Sequence, residues 1–216
     1  LPCAVALLGV LLLCAAPGRA KPDADACRLR FLHAAPGRAA LSVFLDGRAW
    51  VDHPAFGAFS PWREVDAGTH NVKVAEAGQE GVADDADGRF EAGIDYTLAY
   101  VPSREGASLL RLVERVGRHD QASVRFVHLA AAGPATALLD GQTVASALSA
   151  GQATEPVPVA PGEHAAAFGV GADQSVAAAR TVMVAGGVYS FYLLSGEKAK
   201  SALTVVTDAA PDGRGR

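Results

Sequence analysis

The chain has 216 residues, with 19 Lys and Arg against 23 Asp and Glu, and half of its residues are apolar. That length accommodates one large domain or two small ones. The mildly acidic balance, without a block of like charge, leaves no electrostatic footprint for nucleic acid or an anionic membrane surface, and periodic Val, Leu and Phe argue against disorder.

The chain opens on a segment different in kind. Ala4 to Ala16 reads AVALLGVLLLCAA, an uncharged apolar run too short to cross a bilayer but of the right length for a signal-peptide core. Residues 1–20 are therefore expected to be an export signal whose basic start is missing, with cleavage after Ala20, where Gly18 and Ala20 supply the small residues. The alternative is a lipid anchor on Cys14, although Leu13 is bulky for that processing site. After cleavage at Ala20 only Cys27 remains, and one thiol closes no intramolecular disulfide. It reads as a small apolar residue opening the first strand rather than as a cross-link between chains.

Beyond the leader, landmarks recur in one order. RFLH at Arg30 to His33 returns as RFVH at Arg125 to His128, and LDG at Leu45 returns at Leu139. VDAGTH at Val65 pairs with VAPGEH at Val159, AGIDYTLAY at Ala92 with AGGVYSFYL at Ala185, and SLLRLV at Ser108 with SALTVV at Ser201. The offsets drift only from 95 to 93 residues, which predicts a duplication. The expected division is a first unit over 28–115, a polar link at Val116 to Ala122, a second unit over 123–208 and a flexible tail over 209–216.

Within each unit the period is two. Leu29, Phe31 and His33 share one face of a strand, Arg30 and Leu32 the other, and VRFVH repeats the arrangement. Asp-Gly after an aliphatic run signals a tight hairpin. Six or seven short strands per unit, without an amphipathic helix, predict an all-β fold of two tandem antiparallel sandwiches of immunoglobulin or fibronectin type. The Ala-rich segment from Val144 to Ala153 is the one place where a helical turn competes with a strand. Units this small bury a modest fraction of their surface, so contact between them is expected.

These residues carry a resemblance. RFLHAAPGRAALSVFLDG, DAGTHNVKV and EAGIDYTLAYV make the chain similar to the bacterial family catalogued as domain of unknown function 4397, in two copies spanning nearly all of 28–208. The resemblance implies an exported protein, often a lipoprotein or wall-anchored, with β-sandwich domains and no assigned activity. Ser42 and Thr136 stand where that family commonly has Asp, and His70 where it has Tyr, which weakens any case for a shared catalytic centre.

Candidate chemistry is thin. His33, His70 and Asp46, with His128, His164 and Asp140 as their repeats, have the residue types of a metal site, but no close ligand spacing supports one. The preferred reading is a partly buried imidazole bonding a loop carbonyl and fixing a turn. Arg30 and Arg125 read as surface or edge residues. DDADG at Asp84 to Gly88 lacks the twelfth-position Glu of a calcium loop and reads as a solvated hairpin loop. GVGAD at Gly169 to Asp173 reads as a turn, and no nucleophile elbow or zincin motif occurs. Trp50, Phe56, Phe59 and Trp62, absent from the second unit, are either packing mass or a recognition surface for glycan or protein. The expectation is a non-enzymatic, exported binding or structural module of the periplasm, cell surface or medium. It is expected to need no cofactor, nucleic acid or membrane span; the sequence does not identify its partner, for which a glycan and an envelope protein are the candidates. The alternative is an extracytoplasmic metal-dependent or hydrolytic enzyme using the repeated His residues.

Overall fold

The computed structural model describes residues 25–38, 40–77, 83–103, 106–114, 121–171, 173–195 and 203–210. The export segment with Cys14, link residues 116–120 and the tail beyond 210 lie outside them. Strands in the described residues form four four-stranded sheets, with no helix. The first sandwich has an inner sheet ordered β4 (Arg63–Asp66), β1 (Ala26–His33), β7 (Asp95–Ser103) and β8 (Gly106–Glu114). Its outer sheet is ordered β3 (Arg48–Asp52), β2 (Leu41–Leu45), β5 (Gly68–Glu76) and β6 (Asp84–Phe90). The second sandwich repeats this order strand for strand. Its inner sheet is β12 (Val157–Val159), β9 (Ala122–His128), β15 (Val188–Ser195) and β16 (Leu203–Ala210), and its outer sheet is β11 (Gln142–Leu148), β10 (Ala135–Leu139), β13 (Gly162–Val170) and β14 (Asp173–Met183).

Several expectations are corrected. Each half has eight strands rather than six or seven. The two inner sheets are mixed, because β1 runs parallel to β7 and β9 parallel to β15, whereas the outer sheets are antiparallel throughout as expected. The Ala-rich segment after Val144, left open between strand and helical turn, continues β11 to Leu148, held by pairing with β10. Asp84 to Gly88 is not a loop but most of β6, an edge strand that turns Asp85 and Asp87 outward and Asp84 toward the Leu109 N–H while its backbone pairs with β5.

Each sandwich closes over its own core. Leu29, Phe31, Tyr96 and Leu98 from the inner sheet meet Leu41, Val43, Val72 and Val74 from the outer one. In the second sandwich Val124, Phe126 and Phe191 meet Ala135, Ala137 and Phe168. The two cores reach similar filling by exchange of volume: Val43 faces Val74 across one sheet where Ala137 faces Phe168 across the other. Swaps that conserve total volume are the kind cores tolerate best.

The inner sheets pack against each other, giving a four-layer molecule. Leu32, Ala34, Ala99 and Leu112 from one meet Val127, Leu129, Tyr192 and Leu194 from the other. All seven residues of β9 are buried, as expected for a strand covered on both faces. Arg30 and Arg125 are therefore not surface residues: each is 3% exposed, on the face turned toward the other sandwich. Both guanidinium groups converge on Glu114, Arg30 through Nη2 at 3.3 Å and Arg125 through a close Nη2 contact to the other carboxylate oxygen. Arg30 Nε donates to Thr97 at 2.8 Å, and Arg125 Nε donates to Ser190 at 3.1 Å, a matched pair from the two halves. Tyr192 donates its hydroxyl to Glu114 at 3.1 Å and accepts from both arginines at 3.4 Å. Burial works against the charge on Arg125, yet Glu114 raises its pKa above the ordinary guanidinium value.

A buried charge deprived of its partner is costly, so Glu114→Ala is expected to lower unfolding free energy by about 3–5 kcal/mol. Urea denaturation of that variant beside the exposed control Arg111→Ala checks this; equal small losses would contradict it. A second expectation concerns the β10–β11 bulge, where Ala147 holds φ at 56°. That region costs a residue with a Cβ roughly 1–2 kcal/mol, so Ala147→Gly should raise the denaturation midpoint, the relief being partly offset by the entropy of glycine.

Candidate functional site

Both Asp-Gly turns form as the sequence predicts. Asp46 and Gly47 have φ of 50° and 73°, Asp140 and Gly141 of 51° and 78°, the double positive φ of a type I′ hairpin. The turn also presents a carboxylate. Asp46 accepts from the Asn71 backbone N–H at 2.9 Å and from His70 Nδ1 at 2.7 Å. His70 Nε2 donates to the carbonyl of Asp66 at 2.7 Å. The second half repeats the clip, with Asp140 accepting from Ala165 N–H at 2.8 Å and His164 Nδ1 at 2.7 Å, and His164 Nε2 donating to the Ala160 carbonyl at 2.8 Å. Each ring thus ties the β2–β3 or β10–β11 turn of an outer sheet to the end of β4 or β12 in an inner sheet. It holds the corner where the chain crosses between layers.

Protonation follows from the partners. Both nitrogens of each ring face acceptor oxygens, and only an imidazolium donates from both. At His70 burial pulls the pKa down, but the bonds to Asp46 and the Asp66 carbonyl outweigh it and the net shift is upward. The bond to Asp140 raises His164. The His70 bond holds Asp46 below the ordinary carboxylate value, and the Ala165 N–H followed by His164 does the same for Asp140. His128 is the opposite case: Nε2 donates to the Gly133 carbonyl at 3.1 Å while Nδ1 accepts from Ala130 N–H at 3.2 Å. That pattern is a neutral ring, and burial lowers its pKa.

The candidate metal residues are split. Asp46 and His70 meet, as do Asp140 and His164, but His33 ends β1 whereas Asp66, beside His70, faces Ala26 at its start. A strand length of roughly 20 Å separates them. His33 instead lies edge-on to Phe56, ring centroids 5.8 Å apart. Among the described residues no group of three or more His, Cys, Asp or Glu is placed to share an ion. Cys27 is buried in the first core, its thiol pushed up by burial.

The four aromatics are half-buried. Trp50 packs on the first core, and Phe56 and Phe59 pack into the layer between the sandwiches. Arg30 lies 4.1 Å from the Phe59 ring centre and 4.4 Å from that of Trp62, which also meets Arg28 at 5.2 Å. In the second half Ala153 stands in the place of Phe59, making to Val127 the bridge that Phe59 makes to Leu32.

A feature that the motifs did not single out lies beside the first clip. An open cleft of about 460 Å³ is lined by Leu45, Asp46, Arg48, Arg63, Glu64, Val65, Asp66 and His70. Register places Val157, Pro158 and Ala160 of the second half where the first has Arg63, Glu64 and Asp66. The clip is shared, whereas the charges around it belong to the first half. A second such contrast is Glu76, buried and bonded by Arg38 at 3.2 Å and by the Tyr100 hydroxyl at 3.0 Å, with Tyr100 pushed up to about 12. Val170 and Leu193 fill those register positions in the second sandwich.

Among known proteins, the family described as Domain of unknown function (DUF4397) matches residues 27–138, just over half of the chain. The matched stretch runs past β8 and contains both arginine-bearing tetrads and Glu114. A crystal structure of a "putative cell adhesion protein" from Bacteroides uniformis ATCC 8492 is similar at 10% identity and a TM-score of 0.28, covering 86% of this chain and 99% of that one. No curated protein matches the chain. No helix of the described residues is long and apolar enough to cross a membrane.

The pH dependence of the clips has a definite sign. Raised histidine values give stability that is present below the ordinary imidazole value and lost as pH climbs through the raised one. Lowered aspartate values give stability present above the ordinary carboxylate value and lost as pH falls through the lowered one. Each exposed clip is worth about 0–1 kcal/mol, complete between roughly pH 4 and 6.5. The double variant His70→Ala/His164→Ala should therefore lose stability at pH 6 and be much closer to the unaltered protein at pH 9, measured by urea midpoints. An equal loss at both values would contradict the imidazolium assignment.

Proposed function

The chain belongs to the DUF4397 family, and on that footing we propose that it is an exported, non-enzymatic module of the cell surface or periplasm, two tandem copies of the family's domain holding a binding surface on a rigid frame. The observation that carries this reading is the commitment of the repeated histidines. Both nitrogens of His70 and of His164 are bonded to acceptors within the fold, so each ring acts as a corner brace. A general base needs a ring nitrogen able to take a proton from substrate, and a metal ligand needs a free lone pair. The Asp-Gly clip recurs in both halves, as a structural part would. The tandem reading is supported by the strand-for-strand repetition of sheet order.

Export is supported by the apolar run at Ala4 to Ala16 with its small residues at Gly18 and Ala20, and Cys14 is the alternative anchor point. The charged cleft and the half-buried aromatic segment between β3 and β4 both belong to the first copy, which makes that copy the contact region for a glycan or an envelope protein. A zinc titration tests the reading. Added zinc should leave the melting temperature of the full chain unchanged; a rise of several degrees that His33→Ala or His70→Ala abolishes would replace the module by a metal-dependent enzyme.

A further inference from the structure

The two halves differ at one backbone edge in a way that bears on binding. β4 and β12 are the terminal strands of the two inner sheets. In an antiparallel pair only alternate residues bond to the neighbour, and the rest turn their N–H and C=O outward. Ala67 N–H donates to the Asp25 carbonyl at 2.7 Å, which sets the phase: with Cys27 opposite Val65 and Arg28 opposite Glu64, Val65 points its backbone to β1 and Glu64 points outward. The Asp66 carbonyl also faces outward, where His70 takes it. The register position of Glu64 in the second half is Pro158, opposite Ser123. Proline there sacrifices no ladder bond and removes the outward donor, closing that edge. The first half leaves the same donor in place.

The cleft of about 460 Å³ lies along this edge, and every residue of β4 lines it. Its volume is within the range of ligand-binding clefts. Arg48 and Arg63 line it as exposed cations beside the carboxylates of Asp46, Glu64 and Asp66; Arg48 helps to hold the Asp46 carboxyl below its ordinary value, while Arg63 extends from β4 itself. An extended chain laid against β4 would bond to the Glu64 backbone and turn alternate side chains toward those arginines, the geometry of strand addition. We propose that the open edge of β4 binds an extended peptide segment of a partner protein as an added strand, with an acidic side chain of that segment meeting Arg48 and Arg63. The proposal rests on the binding-module reading and names its partner class.

The test uses the full chain and two acetylated, amidated hexapeptides, Thr-Val-Asp-Val-Thr-Val and its counterpart with Lys in place of Asp, titrated to roughly 1 mM, the weak end of recognition. The expected result is saturable binding of the Asp peptide, with slowed hydrogen exchange at the Glu64 amide. Affinity should fall about tenfold in Glu64→Pro, which loses a backbone bond, and about fivefold in Arg63→Gln. No saturable binding, equal affinity for both peptides, or unchanged affinity in Glu64→Pro would overturn the proposal, and would mean that the short, charged β4 only keeps other strands away. Should Glu64→Pro fail to fold, exchange at the Glu64 amide of the unaltered protein decides, since no protection on peptide addition overturns it equally. Failure here with melting unaffected by zinc removes the edge site alone, whereas a zinc response removes the module reading beneath it.

Discussion

Two arginines buried between two sheets, sharing one glutamate, constrain the whole molecule. Arg30 and Arg125 open the repeated tetrads and sit 3% exposed at the centre of the inner layer. Burying a guanidinium is unfavourable unless every donor finds an acceptor. Thr97, Ser190, Glu114 and Tyr192 supply those acceptors, drawn from β7, β15 and β8. The phase of each inner strand is therefore doubly determined. The aromatic of the tetrad must enter its own sandwich while the arginine enters the seam, and a one-residue slip would exchange them. Glu114 and Tyr192 occur once each, with Ala99 in the Tyr192 position of the first half. The seam is nearly symmetric in its arginines and asymmetric in what neutralises them, which specifies the pairing of first with second unit rather than of two like units.

The strand order that the two halves share also provides an internal control. A feature present in both halves is one that the sandwich uses: the Asp-Gly turn, the histidine clip and the positive φ shared by His53 and Ala147. Where only the first half carries a feature, the second shows that the fold stands without it. The buried Glu76 and Tyr100 are replaced by Val170 and Leu193, an exchange of a polar pair for an apolar one that packing accepts. Around the clip, Arg63 and Glu64 give way to Val157 and Pro158. The second half thus forms the same strand without the charges of the β4 edge, and the proposed strand-addition site rests on this contrast.

Much of the fold was legible. The period-two alternation in RFLH and its repeat assigned faces correctly, Asp-Gly marked both hairpins, and the nearly constant offset marked a strand order that recurs in both halves, although six or seven strands were expected where each described half has eight. What failed did so for a common reason. Arg30 and Arg125 read as surface residues because a charged side chain opposite a core face signals solvent in an isolated sandwich, and nothing local reveals that the face is covered by a second sheet. The acids of β6 were misread, and the alanines of β11 were left open between strand and helical turn, because hairpin pairing with β5 and β10 overrides weak strand propensity. The clips were half visible: Asp46 and His70 were grouped, but His33 joined them only by residue type, since a linear chain hides that it lies at the far end of β1. The cleft carried no motif. Its signal was the substitution of charged by apolar residues between aligned halves, visible only once register aligned them.

The two sandwiches form one body through the buried arginine seam. Both tryptophans, Trp50 and Trp62, lie in the first half, whereas far-ultraviolet circular dichroism reports strands in both. Urea unfolding followed by the two signals tests the claim directly. Coincident transitions are predicted, because exposing the seam of either half strands charge in the other. Fluorescence and dichroism midpoints that separate would contradict it and leave two independent domains in contact.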